Sequence, residues 1–203
     1  YKLAKHHNRK IMVRLVKGAY WDSEIKHSQV QGLASFPVFT RKEASDVSYI
    51  ANARKLLRMN DWIYPQFATH NAHSIAAILH MARQTPNCNF EFQRLHGMGE
   101  AVHDIVAKTQ NTRCRIYAPV GPHKDLLAYL VRRLLENGAN SSFVNQIADQ
   151  SIPSAKIAAC PFDKLSEERV GSIPSGAELY GVARSNSMGY DLNDAKTVSV
   201  LQK

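Results

Sequence analysis

Four short clusters of polar and aromatic side chains have residue types that can bind an organic ligand. The first has the sequence RLVKGAYWD and begins at Arg14, and the second has the sequence ATHN and begins at Ala68. The third, QRLHGMG, begins at Gln93, and the fourth, YAPVG, begins at Tyr117. Each cluster alone fits an ordinary turn, since a Lys-Gly pair often carries a solvated lysine and glycine permits tight turning. Four such clusters together indicate a binding site.

Further candidate side chains lie on an amphipathic helix predicted over residues 124–137. At about 100° per residue, one half of this helix is formed by Leu126, Leu127, Leu130, Val131, Leu134 and Leu135. The opposite stripe carries Tyr129, Arg132, Arg133 and Glu136. One interpretation is an exposed charged face in which Glu136 pairs with Arg132. The other is a pair of arginines that clamps a carboxylate beside an aromatic wall, because the planar guanidinium binds a carboxylate through two hydrogen bonds.

Other site chemistries find little support in the residue spacing. His70 and His73 are three residues apart, as metal ligands on a helix can be, but no third ligand has suitable spacing. We therefore predict no metal site. The chain has neither a GxSxG nucleophile turn nor a Walker-type phosphate loop. Cys88, Cys114 and Cys160 form no CxxC pair, which argues against a disulfide scaffold or a zinc site and favours a reducing compartment.

The four clusters follow apolar runs that predict β-strands at Ile11–Val16, 62–68, 90–95 and 115–120. Helical patterns after these runs predict helices at 46–58, 73–83, 100–108 and 124–137. Alternating strands and helices indicate parallel βα units, which gather their sites at the carboxyl ends of the strands. A complete (β/α) barrel needs eight units and roughly 250 residues. Since we find four units, we expect half a barrel or a small open α/β sheet.

The rest of the chain differs in composition. Residues 151–203 are rich in Ser, Pro, Gly and Ala, which predicts a connecting segment with short helical turns that lies along another domain. The net charge of +9 comes from scattered Lys and Arg residues and indicates a solvated basic surface rather than a nucleic-acid site. No apolar run approaches the roughly 18 residues of a membrane-spanning helix. Because the chain begins without Met, we expect the natural protein to be longer.

Six motifs occur in order between about residues 10 and 150: RLVKGAYWDSE, PVFTRK, YPQFATHN, FQRLHGMGE, RIYAPVG and YLVRRLLENGANSSFVN. Together they resemble the proline dehydrogenase domain of bifunctional proline utilization A flavoenzymes. The later segment ELYGVARSNSMGYDL resembles the region where those enzymes enter an aldehyde dehydrogenase module that acts on glutamate semialdehyde. The resemblance implies an α/β chain of the (β/α)8 TIM-barrel family. Residues 1–150 would form its last four βα units, and residues 151–203 an irregular arm toward the second module.

The resemblance also implies roles for individual residues. The proline substrate would contact Leu95, Tyr117, Tyr129, Arg132 and Arg133, with the two arginines holding its carboxylate. Arg14 and Tyr117 are the implied catalytic residues, and Arg14 would lie near the flavin ring, where positive charge stabilises the reduced flavin. Besides Arg14, the implied FAD contacts are Val16, Lys17, Gly18, Ala19, Trp21, Thr40, Arg41, Thr69, His70, Asn71, Gln93, Glu136, Ser142 and Phe143.

The implied reaction is FAD-dependent oxidation of L-proline to pyrroline-5-carboxylate, with electrons passed to a membrane quinone. NAD would serve only the adjoining module. We expect a cytoplasmic homo-oligomer, peripherally associated with the inner membrane, that has no nucleic-acid contact through this segment. Its missing N-terminal half barrel would supply the family's remaining substrate residues. The alternative is a non-catalytic barrel fragment that acts as an interaction module. An open half barrel is expected to expose sheet edges and apolar faces.

Overall fold

The computed structural model describes residues 1–18, 20–138, 143–167 and 173–202, except the side chains of Trp21, Glu136, Asn137, Val144, Asn145 and Ala148. The chain forms two compact units, each built from separate stretches of sequence. The first unit contains Tyr1–Lys17 and Ser45–Lys164, and the second contains Gly18–Ala44 and Leu165–Lys203. The domain division predicted near residue 150 differs from the division into these two units and stays a prediction.

The first unit is organised around a four-stranded parallel sheet in the order β1-β2-β3-β4. Its strands are Ile11–Val16 (β1), Ile63–Ala68 (β2), Glu91–Leu95 (β3) and Arg113–Tyr117 (β4). The four predicted strands are confirmed, and their order along the sheet equals their order along the chain. The fourth strand was predicted too late, since it ends at Tyr117 rather than at residue 120. Pro119 cannot donate a backbone hydrogen bond to a neighbouring strand, which disfavours a longer strand.

Helices alternate with the strands, as predicted. The helices of the described residues are Lys2–His6 (α1), Trp21–Val30 (α2), Lys42–Arg58 (α3), Ala72–Arg83 (α4), Glu100–Gln110 (α5), His123–Gly138 (α6), Phe143–Ala148 (α7), Ser154–Ile157 (α8), Pro161–Ser166 (α9) and Ala195–Leu201 (α10). The described residues between α9 and α10 also form two 3₁₀ helices, Gly176–Glu178 and Gly181–Ala183. Within the described ranges, no helix combines the length and apolar composition needed to cross a bilayer.

The core of the first unit lies between the sheet and the helices on one of its faces. Phe67 of β2 and Phe92 of β3 are fully buried and pack with Leu57 of α3 and Ile78 of α4. The Phe90 ring contacts both phenylalanines edge-on, with centroids 5.7 Å from Phe67 and 5.4 Å from Phe92. Aromatic pairs at this spacing add to the stabilisation that burial gives. This core fixes the positions of the strand ends.

The opposite face and the edges of the sheet carry exposed apolar side chains. Met12 and Val16 of β1 are exposed, and so is Ile116 of β4. On α6, Leu134 is 71% exposed and Leu135 is 67% exposed. Apolar surface of this kind normally packs against another element or chain. The exposure expected of an open half barrel is therefore confirmed.

The second unit joins α2 to the C-terminal tail through very close backbone contacts. Gly189 N donates to the Gly32 carbonyl oxygen at 2.8 Å, and Gln29 Nε2 donates to the Pro174 carbonyl oxygen at 2.8 Å. Gly32 has φ +64°, which favours glycine. A Cβ atom at Gly189 would overlap the carbonyl oxygen of Gln31. The tail is thus held against the end of α2 by a contact that only glycine allows.

We expect Gly189→Val to detach the tail from α2, because the added side chain cannot coexist with the Gln31 carbonyl group. The packing of the tail against α2 should become less stable by about 1–3 kcal/mol, the usual cost of overpacking. Hydrogen exchange of residues 174–189 in the complete protein measures the change. Gly121→Ala is the control, because its Cβ would meet only the Leu126 side chain at 3.7 Å. Unchanged protection of the tail in Gly189→Val would contradict the prediction.

Candidate functional site

Side chains alternate between the two faces of the sheet, and the face opposite the core is polar. Phe67 and Phe92 point toward the helices, so residues one position away point to the other side. In the strand register, Arg14 lies opposite Gln66, and Gln66 lies opposite Glu91. The polar face carries Arg14, Tyr64, Gln66, Glu91, Gln93, Arg113, Arg115 and Tyr117. The strands therefore place on one surface a set of side chains that is scattered along the sequence.

Glu91 is the buried anion at the centre of this polar face. Its side chain is 5% exposed and accepts hydrogen bonds from Arg115 Nε at 2.7 Å and from Arg115 Nη2 at 2.9 Å. The amide nitrogens of Gln66 and Gln93 also donate to Glu91 Oε1, each at 2.9 Å. The hydrogen bond from Arg115 is the main cause that lowers the pKa of Glu91 to about 2, although burial opposes the shift. Glu91 is therefore an anion at neutral pH.

Arg14 is held over an aromatic ring at the carboxyl end of the sheet. Its Nε donates to Gln93 Oε1 at 2.8 Å, and its guanidinium carbon lies 5.0 Å from the centroid of the Tyr117 ring. Leu95, which is 6% exposed, is the register partner of Tyr117. The structure thus brings together four predicted site residues: Arg14, Gln93, Leu95 and Tyr117. They combine a positive charge with apolar and aromatic walls, an arrangement suited to a flat or cyclic ligand.

The residues after β2 form a second part of the site. The Asn71 backbone N–H donates to Thr69 Oγ1 at 3.1 Å, and the Ser74 N–H donates to Asn71 Oδ1 at 3.1 Å, which caps α4. His70 Nε2 accepts a hydrogen bond from the Leu95 N–H at 3.0 Å. Since that nitrogen is an acceptor, the neutral ring carries its proton on Nδ1 and can donate from it. His70 therefore links the ends of β2 and β3.

Burial keeps His70 neutral. It lowers the pKa of His70 to about 4, with smaller contributions from His103, Arg133 and Arg94. His103 on α5 is 2% exposed, and one of its ring nitrogens lies 2.9 Å from the Thr69 carbonyl oxygen. Burial also lowers the pKa of His103. Two neutral histidines thus stabilise the segment that follows β2.

We expect the free energy of unfolding to decrease as the pH falls from about 6.5 to about 4. Over this range the unfolded chain binds a proton at His70, whereas the folded chain, with its lowered pKa, does not. The stabilisation that comes from keeping His70 neutral is fully present above about pH 6.5 and is lost as the pH falls to about 4. Allowing for solvent screening, it is on the order of 2 kcal/mol.

Urea unfolding of the complete protein across that pH range measures this slope. His70→Asn should make the slope shallower, and replacement of the exposed His80 by Asn should leave it unchanged. An equal slope in the wild type and in His70→Asn would contradict the assignment.

The predicted arginine pair lies on a half-buried stripe of α6. The Nε atoms of Arg132 and Arg133 are buried, and the Arg133 guanidinium carbon lies 5.2 Å from the centroid of the Tyr129 ring. The charge of Arg133 contributes to the lowered pKa of His70, so α6 brings this arginine near the end of β2. The stripe is therefore half-buried rather than exposed, while the pairing of Arg132 with Glu136 stays a prediction because the Glu136 side chain lies outside the described residues. Four of the helix's leucines, Leu127, Leu130, Leu134 and Leu135, are exposed.

Lys17 has partners in the first unit. Its ammonium nitrogen lies 2.6 Å from Asp46 Oδ1 and 5.3 Å from the centroid of the Tyr49 ring. Tyr49 is buried, donates to the Ala68 carbonyl oxygen at 3.2 Å, and has a pKa raised by that burial. A freely solvated lysine after the first strand is therefore excluded. Val16, which precedes Lys17, is 45% exposed on the polar side of the sheet.

Several predicted cofactor residues belong to the second unit or lie outside the described residues. Gly18, Thr40 and Arg41 are in the second unit, where Arg41 Nη1 donates to the Leu165 carbonyl oxygen at 2.9 Å. Arg41 also lies 3.8 Å from Glu43 in an ion pair. Phe143 begins α7 and is half-buried. Outside the described structure lie Ala19, Ser142 and the side chains of Trp21 and Glu136.

Sequence reasoning missed four polar residues that organise the site: Gln66, Glu91, Arg115 and His103. The period-two alternation of Glu91, Gln93 and Leu95 along β3 was the available signal, because residues two apart share a face. His103 lies in a helix whose other residues are partly or fully exposed, and no sequence pattern marked it. Among the described side chains, no group of three or more His, Cys, Asp or Glu residues could hold a metal ion.

Comparison with known proteins agrees with this geometry. A sequence model of the proline dehydrogenase family matches residues 1–146. The chain is 54% identical to bifunctional protein PutA of Klebsiella aerogenes over 94% of its own length, and 51% identical to that of Rhizobium meliloti over 98%. These alignments cover 16% and 17% of the two relatives. The chain therefore spans about one sixth of the length of these curated relatives.

Solved structures give the same result. A crystal structure of a Bradyrhizobium japonicum proline utilization A variant superposes with a TM-score of 0.90 at 51% identity, covering 98% of this chain and 21% of that one. Proline utilization A of Bdellovibrio bacteriovorus, inactivated by N-propargylglycine, superposes with a TM-score of 0.75 at 36% identity, covering 85% of this chain and 18% of that one. The described sheet is part of the (β/α)8 barrel of that domain. The chain belongs to the proline dehydrogenase family.

Proposed function

We propose that this chain forms the carboxyl-terminal half of a barrel that oxidises L-proline to pyrroline-5-carboxylate with FAD. The observation that carries the proposal is the assembly of Arg14, Gln93, Leu95 and Tyr117 at the strand ends. The arginine stripe of α6 supports it, because the Arg133 charge acts on His70 at the same end of the sheet. Together these groups offer a cation for a flavin and a separate cation pair for a carboxylate.

The donor set of the site fits a flavin dinucleotide. FAD combines a flat ring with an anionic pyrophosphate, and this chain offers one fixed guanidinium beside an aromatic wall together with further donors. Arg14 would orient the ring, and His70, whose Nε2 accepts from Leu95, would donate to the cofactor from Nδ1, with Asn71 the next residue in the chain. When bound, FAD supplies the acceptor for the hydride that proline loses. Val16, Lys17, Gly18, Ala19, Trp21, Thr40, Arg41, Thr69, Gln93, Glu136, Ser142 and Phe143 are the further proposed contacts.

The substrate residues proposed in this chain bind and orient proline. Arg132 and Arg133 would hold its carboxylate, because guanidinium groups bind carboxylates through paired hydrogen bonds. Tyr129, whose ring centroid lies 5.2 Å from the Arg133 guanidinium carbon, would form one wall of the pocket with Leu95 and Tyr117. Fixing the carboxylate on C2 sets the position of C5 on the other side of the ring nitrogen, where a hydride would leave while the nitrogen gives up a proton and the C5=N bond forms.

A second candidate function is a non-catalytic interaction module. The exposed leucines of α6 and the open sheet edges favour it, because such surfaces bind other chains. The same surfaces also fit pairing with an N-terminal half barrel in a complete enzyme. The buried ionic cluster around Glu91 favours the catalytic proposal, since a packing surface needs no fixed charges.

The wider setting extends the same proposal. Residues 1–150 would belong to the barrel, and residues 151–203 would lead to an NAD-dependent glutamate semialdehyde dehydrogenase module. The complete protein would be a cytoplasmic homo-oligomer that passes electrons to a quinone at the inner membrane. The relatives called bifunctional support a second module of this kind.

The visible absorption spectrum of the purified complete protein tests the proposal. We expect a bound flavin that acid releases as FAD, and formation of pyrroline-5-carboxylate when L-proline and an artificial electron acceptor are added. A folded complete protein that lacks flavin even after incubation with FAD would support the interaction module instead.

A further inference from the structure

We propose that Glu91 is a positioning residue for Arg14 and acts through the side-chain amide of Gln93. This inference rests on the proposed function, because it assigns Arg14 to the flavin. Glu91 is the first residue of β3, an inner strand of the sheet, and makes no hydrogen bond to Arg14 itself. Gln93 lies between the two residues and contacts both, at 2.9 Å from Glu91 and 2.8 Å from Arg14.

The hydrogen-bonding capacity of the three groups permits one arrangement only. An ionised carboxylate accepts hydrogen bonds and cannot donate them, while the Arg14 Nε–H donates and cannot accept. The Gln93 amide must therefore turn its NH₂ group toward Glu91 and its oxygen toward Arg14. Rotation of the amide by half a turn would place two donors face to face and two acceptors face to face. The charge of Glu91 thus determines which atom Gln93 offers to Arg14.

Glu91 is itself held in place and kept charged. Arg115 donates two hydrogen bonds to it, and Gln66 donates a third at 2.9 Å. Its carboxyl group is 5% exposed, so solvent cannot substitute for these partners. The sheet backbone spaces Glu91 and Gln93 two residues apart on one strand, which fixes their separation. The chain of hydrogen bonds from Glu91 through Gln93 to Arg14, here called the relay, therefore begins at a rigid anion. It ends at the arginine proposed to lie beside the flavin.

Arg14 depends on this relay for its orientation. Its guanidinium also lies over the Tyr117 ring, but a cation over a ring face can slide and rotate without losing the interaction. The directional hydrogen bond from Nε to Gln93 Oε1 fixes the rotation of the guanidinium plane. Without Glu91, the Gln93 amide loses the anion that anchors its NH₂ group and is free to move away, and Arg14 would then lose that bond.

The test is a double-mutant cycle between Glu91 and Arg14 in the complete protein. Glu91→Gln, Arg14→Met and the double variant are compared with the wild type. The first measurement is the dissociation constant of FAD, obtained by titrating the apoprotein and following flavin fluorescence. The second is the rate of flavin reduction at saturating proline. Glu100→Gln is the matched control, because Glu100 pairs with Arg94 at 3.2 Å, away from this relay.

We expect Glu91→Gln to weaken FAD binding by about 10-fold, the effect of one lost charged hydrogen bond, and to slow flavin reduction with little change in the KM for proline. In the Arg14→Met background the same substitution should change both quantities less than twofold, since it acts through Arg14. Glu100→Gln should change neither quantity. Equal effects of Glu91→Gln in both backgrounds, or no effect in either, would overturn the proposal.

A second variant decides the matter if Glu91→Gln does not fold. Glu91→Asp keeps the charge but withdraws the carboxylate from Gln93 by one methylene, so FAD binding should still weaken in an otherwise folded protein. Unaltered FAD binding in Glu91→Asp would overturn the proposal. The wild type is measured first, which separates two kinds of failure. A wild type that binds no FAD overturns the proposed function and this inference together, whereas normal FAD binding with an inert Glu91 overturns only the inference.

Discussion

Replacing Arg132 or Arg133 with methionine in the complete protein is expected to weaken proline binding by roughly 10- to 150-fold while FAD stays bound. Each arginine would lose a charge-assisted contact with the substrate carboxylate, worth about 1.5–3 kcal/mol. Methionine keeps most of the side-chain length and packing of α6 but has no charge. The KM for proline and the dissociation constant of a carboxylate-bearing competitive inhibitor both measure the loss.

Two controls accompany this experiment: a neutral substitution on the same helix and the absorption spectrum of the bound flavin. Lys124→Met removes an exposed positive charge near the start of α6 and should leave proline binding unchanged. The flavin spectrum of each variant should match that of the wild type. Unaltered proline binding in both arginine variants would show that α6 has no carboxylate clamp.

The second large effect is expected for Arg14→Met, which should slow flavin reduction about 100-fold at saturating proline. Arg14 places its positive charge beside the Tyr117 ring, where the reduced flavin would accumulate negative charge. Without that charge, the midpoint potential of the flavin should become more negative. Proline binding should change less, because the carboxylate is held by α6. Stopped-flow absorbance and a redox titration measure the two effects.

Arg83→Met gives the control, because Arg83 is the exposed last residue of α4 and hydrogen-bonds to Gln110 rather than to the polar face of the sheet. Its replacement should leave both the rate and the potential close to those of the wild type. Arg14→Lys should retain part of the rate, since lysine keeps the charge but lacks the planar fork. A wild-type rate and potential in Arg14→Met would contradict the placement of Arg14 at the flavin.

The sequence predicted the parts of the fold that depend on local periodicity. Apolar runs located all four strands, and helical spacing located the helices that follow them. Helix α2 was missed because its sequence WDSEIKHSQV has no apolar stripe, and of its described side chains only Ile25 and Ser28 are buried. The contacts of the tail with α2 could not be predicted either. They join Gly189 to Gly32, which are far apart in sequence.

In the site, too, the residues that stand in local sequence clusters were predicted, and those whose role depends on contacts between strands were not. Arg14, Tyr117 and the α6 arginines stood out because they lie in recognisable clusters. Glu91 did not, since a glutamate between two phenylalanines is usually exposed on a half-buried strand. Its role depends on the strand register, which places Arg115 and Gln66 on either side of it. Register is set by packing of the whole sheet and is not visible in any one strand.

The most direct test is anaerobic titration of the complete protein with L-proline while the visible absorbance of the flavin is followed. We expect the wild-type flavin to be bleached with formation of pyrroline-5-carboxylate. A protein with both Arg132→Met and Arg133→Met should keep its flavin but need at least about 100-fold more proline for the same bleaching. A wild type whose bound flavin stays oxidised, or a double variant bleached at the same proline concentration, would contradict the assignment of this chain to the proline-oxidising site.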